Sequence, residues 1–354
     1  MHLLFVTAAD SAIGFGHLNR CLSIASAVAF DQITTNFFIL GDDNAAEIME
    51  KTGYRYNLYS SKDFAQGSIN TSELINDHFD VALVDLIHSS FFDQGNNAND
   101  FFKRITKFAH IVAVIDSLGE QSLAAQLPNA PIDFLVAPYA LDEPSLSRIH
   151  GVGRHQIHGV EYALLSPAYL GAPLRVARAN ANRILVTCGG SDPTEMSLVV
   201  LEGLEQLESQ YELRVIIGPL FEKGLKTKIE DFCNSSMHNI SLIINPDNLA
   251  DHMLWCDIAI SASGLTKYEL AATGTPAILF SIDTKHDFDN RPFAELRTAI
   301  DMGLSTQSTE FAEKTFNLLN NLIEREEMMQ TGLELIDGKG AHRLMTEFTK
   351  ELSC

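Results

Sequence analysis

Ile13-Gly14-Phe15-Gly16-His17-Leu18-Asn19-Arg20 stands shortly after the apolar run His2-Leu3-Leu4-Phe5-Val6-Thr7 and opens a segment with Leu18, Cys21, Leu22, Ala25 and Val28 on one helical face. A strand is thus expected to give way, through a glycine turn, to a helix beginning near His17. Two glycines let a backbone turn sharply and approach a ligand closely, and unpaired N–H groups at a helix start favour negative charge. A phosphorylated ligand fits such a turn. The carboxyl end of the first strand is also where open α/β sheets bind ligands, and an imidazole there can exchange a proton near neutral pH. The competing reading is a tight turn with a helix-capping histidine.

Outward from this junction, short apolar runs alternate with helix-length amphipathic segments, the pattern of parallel sheets joined by crossover helices. Strands are expected at 2–7, 36–40, 81–86, 111–116 and 134–137, then at 184–188, 214–217, 241–244, 257–261 and 277–280. This predicts an α/β chain with two successive doubly wound sheets. A first domain over 1–165 and a second over 183–335 are expected. The linker is placed in Ser166-Pro167-Ala168-Tyr169-Leu170-Gly171-Ala172-Pro173 and the Ala/Arg/Asn stretch up to Arg183. Helical sequence runs from Glu324 to Leu352, and 336–354 is read as a tail. Two such domains can present the carboxyl ends of their strands to a shared cleft.

Composition narrows the function classes. The 354 residues include 25 Lys and Arg against 46 Asp and Glu, a formal charge of −21, which argues against a nucleic-acid partner. No apolar run reaches the length of a membrane span, and the start MHLLFVTAAD has no basic n-region, so a cytoplasmic protein is expected. Cys21, Cys188, Cys233, Cys256 and Cys354 form no C-x-x-C pair, and His155 and His158 have no carboxylate or cysteine set beside them. No metal and no cofactor are expected.

Four further strand ends carry polar groups. In Ile258-Ala259-Ile260-Ser261-Ala262-Ser263-Gly264-Leu265-Thr266-Lys267-Tyr268-Glu269-Leu270, small and hydroxylated residues end an apolar strand and a helix starts around Leu265. A diphosphate suits this turn, and Glu269, about one turn on, can accept hydrogen bonds from a ribose. Alternatively Ser263 is an N-cap and Glu269 a surface residue. Thr187-Cys188-Gly189-Gly190-Ser191-Asp192-Pro193 allows close approach of a sugar or phosphate, or starts a helix with Asp192 as cap and Pro193 at its first position. Asp85 and Asp116 end strands of the first domain, where carboxylates orient sugar hydroxyls, act as acid or base, or cap turns. Lys285 to Arg291 and Gln94-Gly95-Asn96-Asn97 read as surface loops, the former able to close over a ligand.

The run IGFGHLNRCLSIA, then Glu161-Tyr162-Ala163-Leu164-Leu165, CGGSDP and ISASGLTKYEL resemble, in this order, the UDP-sugar hydrolases of the pseudaminic acid pathway and their spore-coat polysaccharide relatives. That resemblance implies the GT-B fold, two facing Rossmann-like domains. The stretch SASGLTKYELAATGTPAI is similar to the uridine-diphosphate site of the MurG glycosyltransferase. Carried over, the resemblance makes His17 the base that activates water against the anomeric carbon. Gly14 and Gly16 would cradle phosphates, and Arg20, Asp85 and Tyr162 would lie among the substrate contacts. Gly189, Gly190, Ser191 and Asp192 would border the sugar, while Ser261, Ser263, Gly264, Leu265, Thr266 and Glu269 would hold the nucleotide.

The chain departs from the family in having Val6 and Ala8 where an arginine and an aspartate are usual, with Asp10 and Ser11 nearer the turn. It reads Asp85-Leu86-Ile87-His88 where Asp-His-Tyr is typical. The sugar and the acceptor stay open. The implied activity is hydrolysis of a UDP-amino sugar to UDP and free sugar for a sialic-acid-like surface glycan. The alternatives are a GT-B glycosyltransferase with a glycan, lipid or protein acceptor, and a nucleotide-sugar-binding protein without chemistry.

Overall fold

The structure, a computed structural model, describes residues 1–10, 14–29, 33–60, 78–86, 96–116, 130–171 and 175–353, with 96–100 as backbone only. Of the residues singled out above, Ser11, Ile13, Ile87, His88, Gln94, Gly95, Ala172, Pro173 and Cys354 lie outside this set. The chain divides into two compact units, Met1–Pro167 with Gly338–Cys354, and Ala168–Asp337.

The first unit holds a seven-stranded sheet of β1 (His2–Ala9), β2 (Thr34–Gly41), β3 (Arg55–Tyr59), β4 (Phe79–Asp85), β5 (Ala109–Ile115), β6 (Phe134–Ala137) and β7 (His155–His158). Their spatial order is β3-β2-β1-β4-β5-β6-β7, all parallel. Helices α1 (Gly16–Ala27), α2 (Asp43–Thr52), α3 (Asn96–Ile105) and α4 (Glu143–Ile149) accompany it. Because both faces of a parallel sheet are covered, its central strands are apolar throughout rather than alternating. Leu3, Phe5 and Ala9 of β1 pack into one core with Leu18, Cys21 and Ile24 of α1. Leu4, Val6 and Ala8 pack into the other with Phe101, Phe102 and Ile105 of α3.

In the second unit β8 (Arg183–Thr187), β9 (Glu212–Ile217), β10 (Asn239–Ile244), β11 (Ile258–Ala262), β12 (Ala277–Phe280) and β13 (Ala299–Asp301) form a parallel sheet in the order β10-β9-β8-β11-β12-β13. With it go α5 (Met196–Leu204), α6 (Lys223–Ser235), α7 (Ala250–Trp255), α8 (Thr266–Ala272), α9 (Thr284–Ala294), α10 (Ser308–Asn320) and α11 (Leu322–Leu335). Ile184, Val186, Val215, Ile260 and Phe280 build one apolar cluster with Val200, Leu201 and Phe311.

Both sheets reverse their winding once, between β1 and β4 in the first unit and between β8 and β11 in the second. At such a switch point neighbouring strand-end loops run to opposite sides of the sheet and leave a crevice. The junctions read after β1, β4, β8 and β11 lie at these two places, and the one at Asp116, after β5, lies outside them.

The last helix, α12 (Gly340–Leu352), belongs to the first unit, where Ala341, Leu344, Met345 and Phe348 are buried in the core that also holds Leu3 and Phe5. Gly340 has no room for a side chain, since a Cβ there would collide with the backbone of Tyr162 and Ala163. The stretch between Arg175 and Arg183 is fastened to the second unit. Arg175 donates to the carbonyls of Met253 (2.7 Å) and Cys256, Arg178 pairs with Asp257 at 2.6 Å, and the fully buried Arg325 donates to the Arg178 carbonyl at 2.8 Å.

One expectation is overturned. Lys285 to Arg291 is no loop but the body of α9: Asp283 accepts from the His286 N–H at 2.8 Å and starts the helix, and Asp287 and Asn290 are buried. Its polar residues cap and pack rather than mark a surface turn.

Candidate active site

After β1 the chain bends back on itself, the Gly14 N–H donating to the Asp10 carbonyl at 2.8 Å with Gly14 at φ +83°. Few residues other than glycine adopt that conformation without strain. A Cβ at Gly14 or at Gly16 would meet no atom of the described residues within 4 Å. Helix α1 then starts with no side-chain cap at Phe15 and no acidic residue in its first turn, so capping is not what His17 does. Its first N–H groups keep their affinity for anions.

His17 and Arg20, three apart on α1, both meet Asp85 at the end of the adjacent β4. His17 Nδ1 lies 2.7 Å from Asp85 Oδ1. Arg20 grips the same carboxylate with two donors, Nε to Oδ2 at 2.8 Å and Nη2 to Oδ1 at 2.7 Å, and Nη1 donates to the Tyr139 hydroxyl. Burial alone would raise the pKa of the wholly buried Asp85. The charges of Arg20 and His17 and their hydrogen bonds outweigh it and hold the group at about 2. The carboxylate is therefore an acceptor only, and the proton on His17 sits at Nδ1. Arg20 Nη2, 3.3 Å from the same nitrogen, is a close neighbour rather than a hydrogen-bond donor to it. In the neutral ring Nε2 is left with its lone pair, on a side chain one-fifth exposed (20%). The geometry is that of a general base oriented by a buried carboxylate.

In the second unit the loops after neighbouring strands are locked together by backbone. The Gly190 carbonyl accepts from Leu220 N–H at 2.9 Å, and a Cβ on Gly218 would strike the carbonyls of both Gly189 and Gly190. Gly189 (φ +79°) and Gly190 are exposed, and neither would bring a Cβ within 4 Å of the other described residues. Asp192, itself at φ +44°, turns its buried carboxylate inward to the start of α5. It accepts from the N–H groups of Met196 (2.8 Å) and Ser197 (2.9 Å) and from the Ser197 hydroxyl (2.5 Å). The cap read in the sequence is there, but the helix begins at Met196, so Pro193 is not its first residue.

After β11, Ser261 Oγ donates to the Ala262 carbonyl at 2.9 Å, and Ser263 Oγ meets Ser281 Oγ at 3.0 Å. Both hydroxyls are buried. What remains accessible is Gly264, Leu265 and Thr266, and no side chain caps α8. Glu269 is partly buried on α8, and burial pushes its carboxyl up to about 7 against a hydrogen bond from Tyr169.

The structure thus brings His17, Arg20 and Asp85 together at one switch point, and the Gly189-Gly190 and Ser261–Glu269 loops to the other. Arg20 and Asp85, expected among the substrate contacts, pair with each other and with His17. Tyr162 lies on a one-turn helix, Val160–Tyr162, packed against the core by α12. Asp116 ends β5 fully buried. Sequence reasoning passed over two polar residues. Tyr169 was read as linker, and Lys267 was quoted in the 258–270 stretch without a role. Burial brings the Lys267 ammonium down to about 8, and it donates to the Asp289 carbonyl at 3.1 Å. Its place in the α8 motif, on the face of Leu270 and Ala271, was the available signal.

Residues 183–332 match the glycosyltransferase family 28 C-terminal domain. An uncharacterized protein of Methanocaldococcus jannaschii is 24% identical over 290 residues, 79% of this chain and 55% of that one. The spore coat polysaccharide biosynthesis protein SpsG of Bacillus subtilis is 25% identical over 206 residues, 56% of this chain and 59% of its own. The matches thus span somewhat over half the length of these curated relatives. Among solved structures, MurG of Acinetobacter baumannii superposes with a TM-score of 0.65 at 15% identity, covering 99% of this chain and 100% of its own. Anabaena HepE, in complex with UDP-glucose, gives 0.63 at 12% identity over 100% and 99% of the two chains. With its two parallel-sheet units the chain has the GT-B fold.

Proposed function

We propose that this protein breaks the anomeric C–O bond of a nucleoside-diphosphate sugar, with His17 as general base and UDP as the leaving group. The observation that carries the reading is the pairing of His17 with the buried, ionised Asp85 at a switch point, beside an uncapped helix start. The nucleotide is assigned to the second unit, to Gly264, Leu265, Thr266 and Glu269, with the exposed Gly189-Gly190 turn bordering the sugar. Glycines where a Cβ would meet none of the described residues are not dictated by packing against them, and those without positive φ (Gly16, Gly190 and Gly264) are not dictated by the backbone either. Close approach of a ligand accounts for them. The solved relative holding UDP-glucose supports the ligand class.

In the step itself His17 Nε2 takes the proton of the attacking O–H. That oxygen bonds to the anomeric carbon, and the electron pair of the broken C–O bond leaves with UDP. With water as nucleophile the product is free sugar, the reading that the likeness to SpsG supports. With a hydroxyl acceptor the same base gives glycosyl transfer, which the family 28 match over 183–332 favours.

The test is NMR-monitored incubation of the purified protein with a panel of UDP-amino sugars, with and without hydroxyl acceptors. UDP and free sugar at catalytic turnover without acceptor establish hydrolysis, and turnover only with acceptor establishes transfer. Donors that bind and stay intact under every condition would overturn the catalytic reading.

A further inference from the structure

At the amino ends of β11 and β12, the edge of the second sheet opposite the proposed nucleotide loops, there is a cavity of about 200 Å³. Arg175, Arg178, Arg325 and Asp257 line it, with Leu254 and Met329 among its apolar residues. Three guanidinium groups thus meet one carboxylate, in a chain with 46 acidic residues against 25 basic ones. Asp257 is already fully engaged. Its Oδ1 accepts from Arg178 Nε at 2.6 Å, and its Oδ2 from the backbone N–H groups of Asn182 (2.8 Å) and Arg183 (2.9 Å). Arg175 and Arg325 form no ion pair among the described residues. Arg175 donates to the Thr275 hydroxyl and to carbonyls at the end of α7, and Arg325 to carbonyls at the end of α10 and to that of Arg178. Helix carboxyl ends temper a cation without cancelling it. Arg325 is 1% exposed, so burial disfavours its charge, and Asp257 and Glu326 offset that only through space. A buried charge without a counter-charge is costly. Donors are also left over: Nε of Arg175, Nε of Arg325 and Nη1 of Arg178 bond to no described residue.

We propose that this cavity binds a phosphoryl oxyanion, free or carried on a small organic group, at a site separate from that of the nucleotide. Three guanidinium groups and one carboxylate leave an excess of two positive charges, which a phosphate dianion cancels. A tetrahedral oxyanion accepts hydrogen bonds from several directions, which suits arginines supplied by two segments, Arg175 and Arg178 ahead of β8 and Arg325 on α11. Leu254 and Met329 give the carbon part of a phosphate ester an apolar flank.

Inorganic phosphate is titrated into the full chain at constant ionic strength, with and without saturating UDP, and glucose 1-phosphate is titrated in parallel. Binding is read by calorimetry and by the Nε–H resonance of Arg175, assigned through Arg175→Gln. The expected result is saturable binding that persists in UDP, with the arginine resonance shifting along the same curve. Arg175→Gln keeps an amide donor for the helix carbonyls but loses the charge. It should weaken phosphate by about 10- to 100-fold, the worth of a hydrogen bond to a charged group. Val176→Glu sets a carboxylate among the lining residues at a position 82% exposed, and should weaken phosphate by at least about tenfold with melting temperature and UDP binding unchanged. Tighter binding of the ester assigns the site to phosphorylated molecules, and tighter binding of phosphate assigns it to the free ion. Binding abolished by UDP overturns the proposal, as does a resonance shift that chloride reproduces, or wild-type affinity in both variants. If the protein binds no UDP, the nucleotide reading falls alone, because the arginine resonance and the two variants still decide the cavity.

Discussion

In the proposed reaction His17 leans on a carboxylate that is fully buried. His17→Ala removes the base but no buried partner of the fold. Turnover should fall by about 10²- to 10⁴-fold, the usual worth of general acid–base catalysis, with UDP affinity kept. Unchanged turnover in the panel assay would remove His17 from the mechanism. Asp85→Asn behaves differently, because it strands the Arg20 guanidinium at 7% exposure without a counter-charge. Removing one partner of a buried pair costs about 3–5 kcal/mol, so both melting temperature and turnover should drop. The pH dependence has a definite sign. Asp85 is held at about 2, below its ordinary 3.8, so its contribution is complete above pH 4 and lost as pH falls through 2. Acid titration of the wild type should show this limb of unfolding, and Asp85→Asn should lack it.

Among elements, the strand-end loops of the second unit are held by backbone contact, which makes Gly218 the point at which they can be disturbed remotely. Gly218→Ala pushes a methyl group against the carbonyls of Gly189 and Gly190 while changing little of the apolar core. Donor turnover should fall by up to about 10²-fold, as small misplacements of a binding loop do, with only a modest loss of melting temperature. Kinetics like the wild type's would mean that the Gly189-Gly190 turn is not at the substrate. Central strands were legible from sequence because burial on both faces makes them apolar throughout. The three that were missed, β3, β7 and β13, are edge strands, short and half-exposed, with residues such as Arg55, Asn57, His155 and His158 on them. The histidine was legible as a residue type at a turn. Its pairing with Asp85 was not, since 68 positions separate the two and only strand order brings β4 beside β1.

For the molecule as a whole, each unit has its own core, and that of the first needs α12. Phe348 is fully buried, its ring 5.1 Å from that of Phe134. Phe348→Ala should cost about 3–5 kcal/mol, the range for emptying such a site. Scanning calorimetry should show the loss in one transition only, with a second transition unmoved and still raised by UDP. Both transitions falling together would mean that the units melt as one.

The position of α12 also bears on how the chain is made. A ribosome delivers Met1–Pro167 first, yet the core of that unit lacks Ala341, Leu344, Met345 and Phe348 until some 170 further residues have been synthesised. The second unit, one unbroken stretch, has everything it needs earlier. The half that emerges first is therefore completed last, and during elongation its apolar surface is open to chaperones; a ribosome stalled before α12 would release a chain whose early half is a substrate for proteolysis.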